Sequence, residues 1–229
     1  MARQTAISIN TIPIGPLGII GMPGCEGLTD KIDQYLVKWR KTQASEHAES
    51  IAFFGYQRDT YKIDVSIPRF GSGEGKGVIN ESVRGYDIYI VCDVFNYSCS
   101  YDMYGRKVYM SPDDHFADLK RVISALCSKP KRVSVIMPML YEGRQHKRSS
   151  RESLDCAMAL KELVHLGVEN IITFDAHDQR VQNAIPDKSF ENVMPTYQMI
   201  KALVNNVEDL NVDKDHLMII SPDEGALHR

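Results

Sequence analysis

The sequence predicts an α/β fold, a mostly parallel sheet flanked by helices. Three observations carry this. Short apolar, β-branched runs alternate along the chain with longer segments whose apolar residues recur at helical spacing. Most connections between those runs have the length that parallel βαβ units need, not that of tight hairpins. The composition is that of an ordinary globular protein: 229 residues, 43% hydrophobic and 25% charged, which excludes disorder, collagen and coiled coil.

Each element has its own signal. Residues 17–22 read as a short buried strand ending in a turn at Pro23-Gly24. Leu28, Ile32, Leu36 and Trp39 then recur at helical spacing, with Thr29 and Asp30 as caps and Trp39 expected in the core. Residues 50–55 and 61–70 read as strands, and 87–94 is strongly β because β-branched and aromatic residues dominate it. The polar, Tyr-rich segment 95–113 is expected to be a long loop, and 40–49 and 95–111 read as insertions. Pro112-Asp113-Asp114 opens a helix that buries Phe116, Leu119, Ile123 and Leu126. A strand follows at 132–140. The next helix runs over 152–166, with Cys156, Ala159, Leu160, Leu163 and Leu166 on one face, and Gly167 ends it in the left-handed conformation. Residues 170–177 form another strand, 195–206 a helix and 216–221 a last strand.

Charge and cysteine usage narrow the function classes. With 27 basic and 30 acidic residues the net charge is −3, which argues against a nucleic-acid-coating surface. No apolar run approaches the roughly 18 residues that span a bilayer, and the N-terminal residues make a poor signal peptide. Five scattered cysteines without a CxxC pair read as reduced thiols of a cytoplasmic protein, not as a disulfide frame or a zinc site.

In sheets of this kind ligands bind beyond the C-terminal ends of the strands. Three polar clusters fall there. The first carries Arg144, Lys147, Arg148 and Arg151 with no acid among them. It suits phosphate oxygens, and equally a solvated basic loop. The second contains Asp175 and His177, two apart on the expected strand and so on one side. The pair suits a divalent ion or acid–base chemistry, or simply a strand end satisfying its own backbone. The third, Ser221-Pro222-Asp223-Glu224-Gly225, exposes Asp223 as a Mg²⁺ ligand or places it as a helix cap. A fourth segment, residues 70–77, has four glycines in eight residues and lets its backbone approach a ligand closely, although it is not a P-loop.

Taken in order, these segments resemble ribose-phosphate pyrophosphokinase, also called phosphoribosyl pyrophosphate synthetase. Glu81-Ser82-Val83-Arg84-Gly85, followed by Asp87 and Tyr89-Ile90-Val91, looks like that family's "ESVRG–D–YIV" segment. Tyr141-Glu142-Gly143-Arg144-Gln145 is similar to "YARQD", Ile172-Thr173-Phe174-Asp175-Ala176-His177 to "ITMDLH", and residues 220–229 to "VSPDAGGAKR". The resemblance covers about residues 17–229 and implies a phosphoribosyltransferase-like fold, with residues 1–212 as the N-terminal domain and 213–229 as the start of a second. It implies transfer of the diphosphoryl group of ATP to the 1-hydroxyl of ribose 5-phosphate.

The resemblance also implies roles. Phe70 and Glu74 would contact adenine, and Arg144 and Gln145 would bind ATP. His177 and Asp223 would hold Mg²⁺, with Asp175 orienting His177 or a metal-bound water. Lys147, Arg148 and Arg151 would add phosphate contacts. The family forms homo-oligomers, hexamers or dimers, in which a neighbouring subunit's loop partly holds the adenine. Neither nucleic acid nor membrane is an expected partner.

There are departures from the family pattern. Ser72 and Gly73 sit beside Glu74 where the family usually has polar amides, His146 follows Arg-Gln where the family has Asp, and "RAPIS" becomes Arg151-Glu152-Ser153-Leu154-Asp155. "GGAKR" becomes Gly225-Ala226-Leu227-His228-Arg229. They leave open a second reading, a non-catalytic regulatory subunit of such a synthetase. A phosphoribosyltransferase that consumes the product is a weaker third, because no loop of the required acidic and Gly/Thr type appears in this sequence. The resemblance implies that the family's ribose-phosphate loop and catalytic Lys–Arg loop lie beyond residue 229, so the 229-residue chain is expected to be inactive alone.

Overall fold

The computed structural model describes residues 13–42, 55–208, 210–221 and 224. It divides into two compact units, Met1–Val193 and Met194–Arg229. The first is built on a five-stranded, all-parallel sheet. Its strands are β1 (Leu17–Gly21), β4 (Asp87–Val91), β7 (Arg132–Met137), β8 (Asn170–Phe174) and β9 (Ser189–Val193), side by side in that order. Helices α1 (Glu26–Thr42), α2 (Pro112–Ala125) and α3 (Asp155–His165) flank it. Two small antiparallel pairs, β2 (Val65–Ser66) with β3 (Val78–Ile79) and β5 (Ser100–Met103) with β6 (Arg106–Tyr109), lie outside it.

β1 is paired on both sides. Besides its ladder to β4, the Ile19 N–H donates to the Tyr61 carbonyl (2.7 Å), and the Ile63 N–H donates to the Ile19 carbonyl (2.8 Å). The chain leaving α1 therefore goes first to the outer flank of β1 and only later crosses back to β4. Crossovers between parallel strands are right-handed, so reversing the direction of travel reverses the face on which the helix lands. The packing agrees. Ile32, Leu36 and Val37 of α1 pack with Ile19, Val91 and Ile136 on one face. Phe116, Leu119 and Ile123 of α2, and Leu160 and Leu163 of α3, pack with Ile20, Ile88, Ile90 and Val135 on the other.

The outer segment is fastened by α1 itself. Asp33 is buried, and its two carboxylate oxygens accept from the Tyr61 N–H (2.7 Å) and the Thr60 hydroxyl (2.9 Å). The buried stripe of α1 is thus centred on Thr29 and Asp33. Trp39 lies off this stripe and is 38% exposed, which corrects the expectation that it belongs to the core.

Most other elements form where expected but shorter. The expected strand over 61–70 is broken into isolated bridges at Lys62 and Arg69 and the short β2 between them. Of the expected strand over 50–55, residues 50–54 lie outside the described residues. β8 stops at Phe174 because Asp175 takes a positive φ of 45°, which turns the chain out of the ladder. Gly167 has a φ of 95° after α3, as anticipated.

Segment 95–113 is not a plain loop. It contains the β5–β6 hairpin, closed by Tyr104 and Gly105 at φ 49° and 75°, the two left-handed residues of a type I′ turn. β9 also went without a sequence expectation. In the second unit, α4 (Thr196–Asn206) forms as expected. Residues 216–221 adopt no strand, and Ile219 is 91% exposed.

The start of α2 shows how local sequence fixes an element that positions several others. Ser111 accepts from the Asp114 N–H (3.2 Å), while Asp114 accepts from the Ser111 N–H (2.9 Å), so the two close a capping box with Pro112 next inside. Partial burial pushes the Asp114 carboxyl up, but the Ser111 backbone and hydroxyl donors, with Arg69 nearby, outweigh it and hold it below the usual range. A depressed carboxyl stabilises the fold above its unfolded pKa, and that contribution is lost as pH falls through the folded value. Ser111→Ala is expected to cost about 1 kcal/mol at pH 7. The difference from wild type should shrink as pH falls through the depressed pKa of Asp114, where that carboxyl protonates. Urea titrations at several pH values check both.

Candidate active site

β7 and β8 are parallel neighbours, so the segments leaving them emerge at the same edge of the sheet. After β7 the chain turns through Glu142, at φ 56°, with the Gln145 N–H donating to the Glu142 carbonyl (2.9 Å). Tyr141 anchors this turn: its ring stacks on Phe116 at 4.2 Å and its hydroxyl donates to Asp113 (2.6 Å). Burial, then the Asp113 acceptor, push the Tyr141 phenol far up, so it stays a donor.

Arg144, Lys147, Arg148 and Arg151 are all exposed on the segment that follows. The helix expected from residue 152 begins only at Asp155, with no side-chain cap. The basic run is therefore a free-standing loop and not the first turn of a helix. Gln145 holds it in shape: its side-chain amide donates to the Ser153 carbonyl (2.8 Å) and reaches that of Lys147 (3.5 Å), and its own carbonyl accepts from the Cys156 N–H (3.3 Å). Glu152 accepts from the Ser149 and Ser150 N–H groups.

The segment after β8 meets this loop. His146 lies 3.3 Å from Asp178 and its ring is 5.2 Å from that of His177. Asp178 is itself gripped by Arg180, through Nε at 3.0 Å and Nη2 at 2.5 Å, and by the Arg180 N–H at 2.8 Å. Those Arg180 bonds hold the Asp178 carboxyl far below the usual range. Asp178 also caps the 3-10 helix Gln179–Ala184.

Of the residues singled out in the sequence, Arg144, Gln145, Lys147, Arg148 and Arg151 thus lie on the loop that meets the His177 segment through His146. Asp175 and His177 do not share a strand face, because the strand has ended. The Asp175 N–H bonds the Val193 carbonyl (3.1 Å), while His177 lies exposed beyond the turn. Asp223 lies outside the described residues. Phe70 and Glu74 sit on the glycine loop beside α2 and make no direct hydrogen bond, ion pair or ring contact with Arg144 or His177. His146, Asp178 and Arg180 were not anticipated as site members. The signal available for the last two was an Asp-x-Arg spacing just past an apolar strand, which reads equally as a simple cap.

Among the described residues no three His, Cys, Asp or Glu side chains stand together as a metal site. Among the described residues, too, no helix is long and apolar enough to cross a membrane.

A parallel sheet flanked on both faces by helices, with a basic loop and a His/Asp loop at its carboxyl edge, is the phosphoribosyltransferase-like architecture. The sequence model of the N-terminal domain of ribose phosphate pyrophosphokinase matches residues 17–167, and the chain belongs to that family. Ribose-phosphate pyrophosphokinase of Vibrio parahaemolyticus is 25% identical over 169 residues, covering 72% of this chain and 47% of the relative. That of Aquifex aeolicus is 25% identical over 171 residues, covering 72% and 48%. The chain therefore spans about half the length of the curated relatives it matches. The crystal structure of phosphoribosylpyrophosphate synthetase from Mycobacterium smegmatis superposes with a TM-score of 0.61 at 17% identity, over 83% of this chain and 52% of that one. At that identity the likeness shows the fold.

If Gln145 staples the basic loop, Gln145→Leu should loosen it at a cost of about 1 kcal/mol. Limited trypsin digestion should then cut after Lys147 or Arg148 several-fold faster than in wild type, and an unchanged rate would contradict the assignment.

Proposed function

We propose that this chain forms the nucleotide-facing half of an enzyme that makes phosphoribosyl pyrophosphate. The reaction transfers the diphosphoryl group of ATP to the 1-hydroxyl of ribose 5-phosphate: that oxygen attacks the β-phosphorus, the bond to the α-phosphate oxygen breaks, and AMP leaves. The observation that carries this reading is the meeting of the Arg144 loop and the His177 loop beyond β7 and β8. Phosphoryl transfer needs positioning and charge neutralisation more than covalent chemistry. Exposed guanidinium and ammonium groups on a loop whose shape is fixed by Gln145 meet that need.

In this reading Arg144 presents its donor fork to ATP phosphate oxygens, and Gln145 acts chiefly by holding the loop. Lys147, Arg148 and Arg151 add positive charge along the same path. His177 would contribute to holding Mg²⁺, a role the resemblance also implies for Asp223, and the ion when bound would neutralise charge on the phosphate oxygens. Arg180 keeps Asp178 ionised, so His146 stays drawn toward it and away from the phosphates. Phe70 and Glu74 lie on a separate surface, which fits a homo-oligomer in which they serve the adenine of a neighbouring copy. Five cysteines without a paired spacing favour a reducing, cytoplasmic setting.

The second reading, a regulatory subunit without turnover, draws on the Gln145 amide being engaged with loop carbonyls and on His146 standing where the family has Asp. The two readings separate in ³¹P NMR of ATP, Mg²⁺ and ribose 5-phosphate with the full-length protein. The enzyme reading expects AMP and phosphoribosyl pyrophosphate to appear together, and expects Arg144→Ala and His177→Ala each to slow this by roughly 100-fold or more. Near-wild-type rates in both variants would contradict it. No turnover, together with co-purification with an active synthetase, would favour the regulatory reading.

A further inference from the structure

The β5–β6 hairpin is an addition to the fold with a definite location. β4 ends at Val91 and α2 begins at Pro112, whereas strand-to-helix connections in α/β folds are usually about 2–6 residues. The extra chain does not simply loop out. Its turn residue Tyr104 donates its N–H to the Gly71 carbonyl (2.9 Å), next to Phe70. Met103 lies so close to Gly73 that a Cβ there would meet its sulfur at 2.9 Å.

The glycine loop is clamped from its other side. Arg69 lies over the Tyr101 ring at 4.4 Å and pairs with the buried Asp118 at 2.5 Å, and Asp118 also pairs with Arg121 at 2.5 Å. Within the loop, the Phe70 N–H donates to the Glu74 carbonyl (2.9 Å), and the Ser72 hydroxyl to the Glu74 carboxylate (2.8 Å). Loop and hairpin tip therefore form one rigid platform.

What this platform presents is unusual. Phe70 is 57% exposed and Tyr104 is 78% exposed. Tyr104 also occupies a left-handed turn position, φ 49°, where Asn, Asp or Gly is the unstrained choice. A bulky residue held at positive φ with its ring in solvent is strain without a packing return, the pattern associated with binding surfaces. Two aromatic side chains can stack a base, and a fixed carboxylate beside them accepts from an exocyclic amine.

We propose that Tyr104 is a specificity-determining residue of the nucleotide site, adding a second aromatic face beside Phe70 and Glu74 for an amino-bearing nucleobase. This rests on the reading of Phe70 and Glu74 as adenine contacts. The test is calorimetric titration of full-length protein with Mg·ATP and with Mg·triphosphate, which lacks the base. Wild type, Tyr104→Ala, Tyr104→Phe and Phe70→Ala are compared, with assembly mass followed by sedimentation. Tyr104→Ala should bind Mg·ATP about tenfold more weakly, with triphosphate binding and assembly mass unchanged, and Tyr104→Phe should restore wild-type affinity. Unchanged ATP affinity in Tyr104→Ala while Phe70→Ala weakens it would overturn the role of Tyr104 and keep the site. Unchanged affinity in both variants, or no binding by wild type, would remove the site as well. Dissociation of the assembly by Tyr104→Ala would make the hairpin a contact between copies and overturn the proposal.

Discussion

The two-sided pairing of β1 is the constraint from which the rest of the domain follows. Because β1 carries the segment around Lys62 on its outer flank and pairs with β4 on the other, the chain leaves α1 in one direction and returns in the opposite one. Right-handed crossovers then place α1 on one face and α2 and α3 on the other. Asp33 enforces the choice by fixing Thr60 and Tyr61 against α1. A carboxylate inside a helix–sheet interface is costly unless its acceptors are filled. Here both oxygens are filled by donors that only the correct outer strand supplies, so the interaction selects topology as well as adding stability.

With that topology set, all five strands point their carboxyl ends to one edge, and the chemistry collects there by geometry. The loops after β7 and β8 approach because their strands are neighbours in the sheet, and the His146–Asp178 contact joins them there. The mutual fixing of His146, Asp178 and Arg180 then gives the edge a defined electrostatic shape, with a carboxylate kept ionised and cations left exposed along residues 144–151. The same helix that closes the other face, α2, has its capping box at the hairpin end and its Asp118 under the glycine loop. It therefore links the two surfaces that the proposed reaction needs.

Much of this was legible in the sequence, and the limits have physical causes. Strands β1, β4, β7 and β8 and helices α2 and α3 follow from periodicity, because each buries an apolar face. β9 escaped because Ser189-Phe190-Glu191-Asn192-Val193 is an edge strand whose polar residues, at 189, 191 and 192, break the apolar alternation. The hairpin escaped because its turn uses Tyr-Gly where the usual signal is Asn-Gly. Trp39 was misplaced because α1 centres its buried stripe on polar Thr29 and Asp33, which an apolar-spacing argument cannot see. In the site, Arg144, Gln145 and His177 were readable from motif order. The inward role of Gln145, and the recruitment of Asp178 and Arg180, depend on contacts between two loops that no local pattern encodes.

The central claim is that the loops after β7 and β8 form the triphosphate seat. A crystal structure of the full-length protein with Mg²⁺ and a non-hydrolysable ATP analogue tests it most directly. The account predicts the phosphates between the Arg144–Arg151 loop and His177. Phosphates bound on any other surface, with those two loops empty, would contradict it.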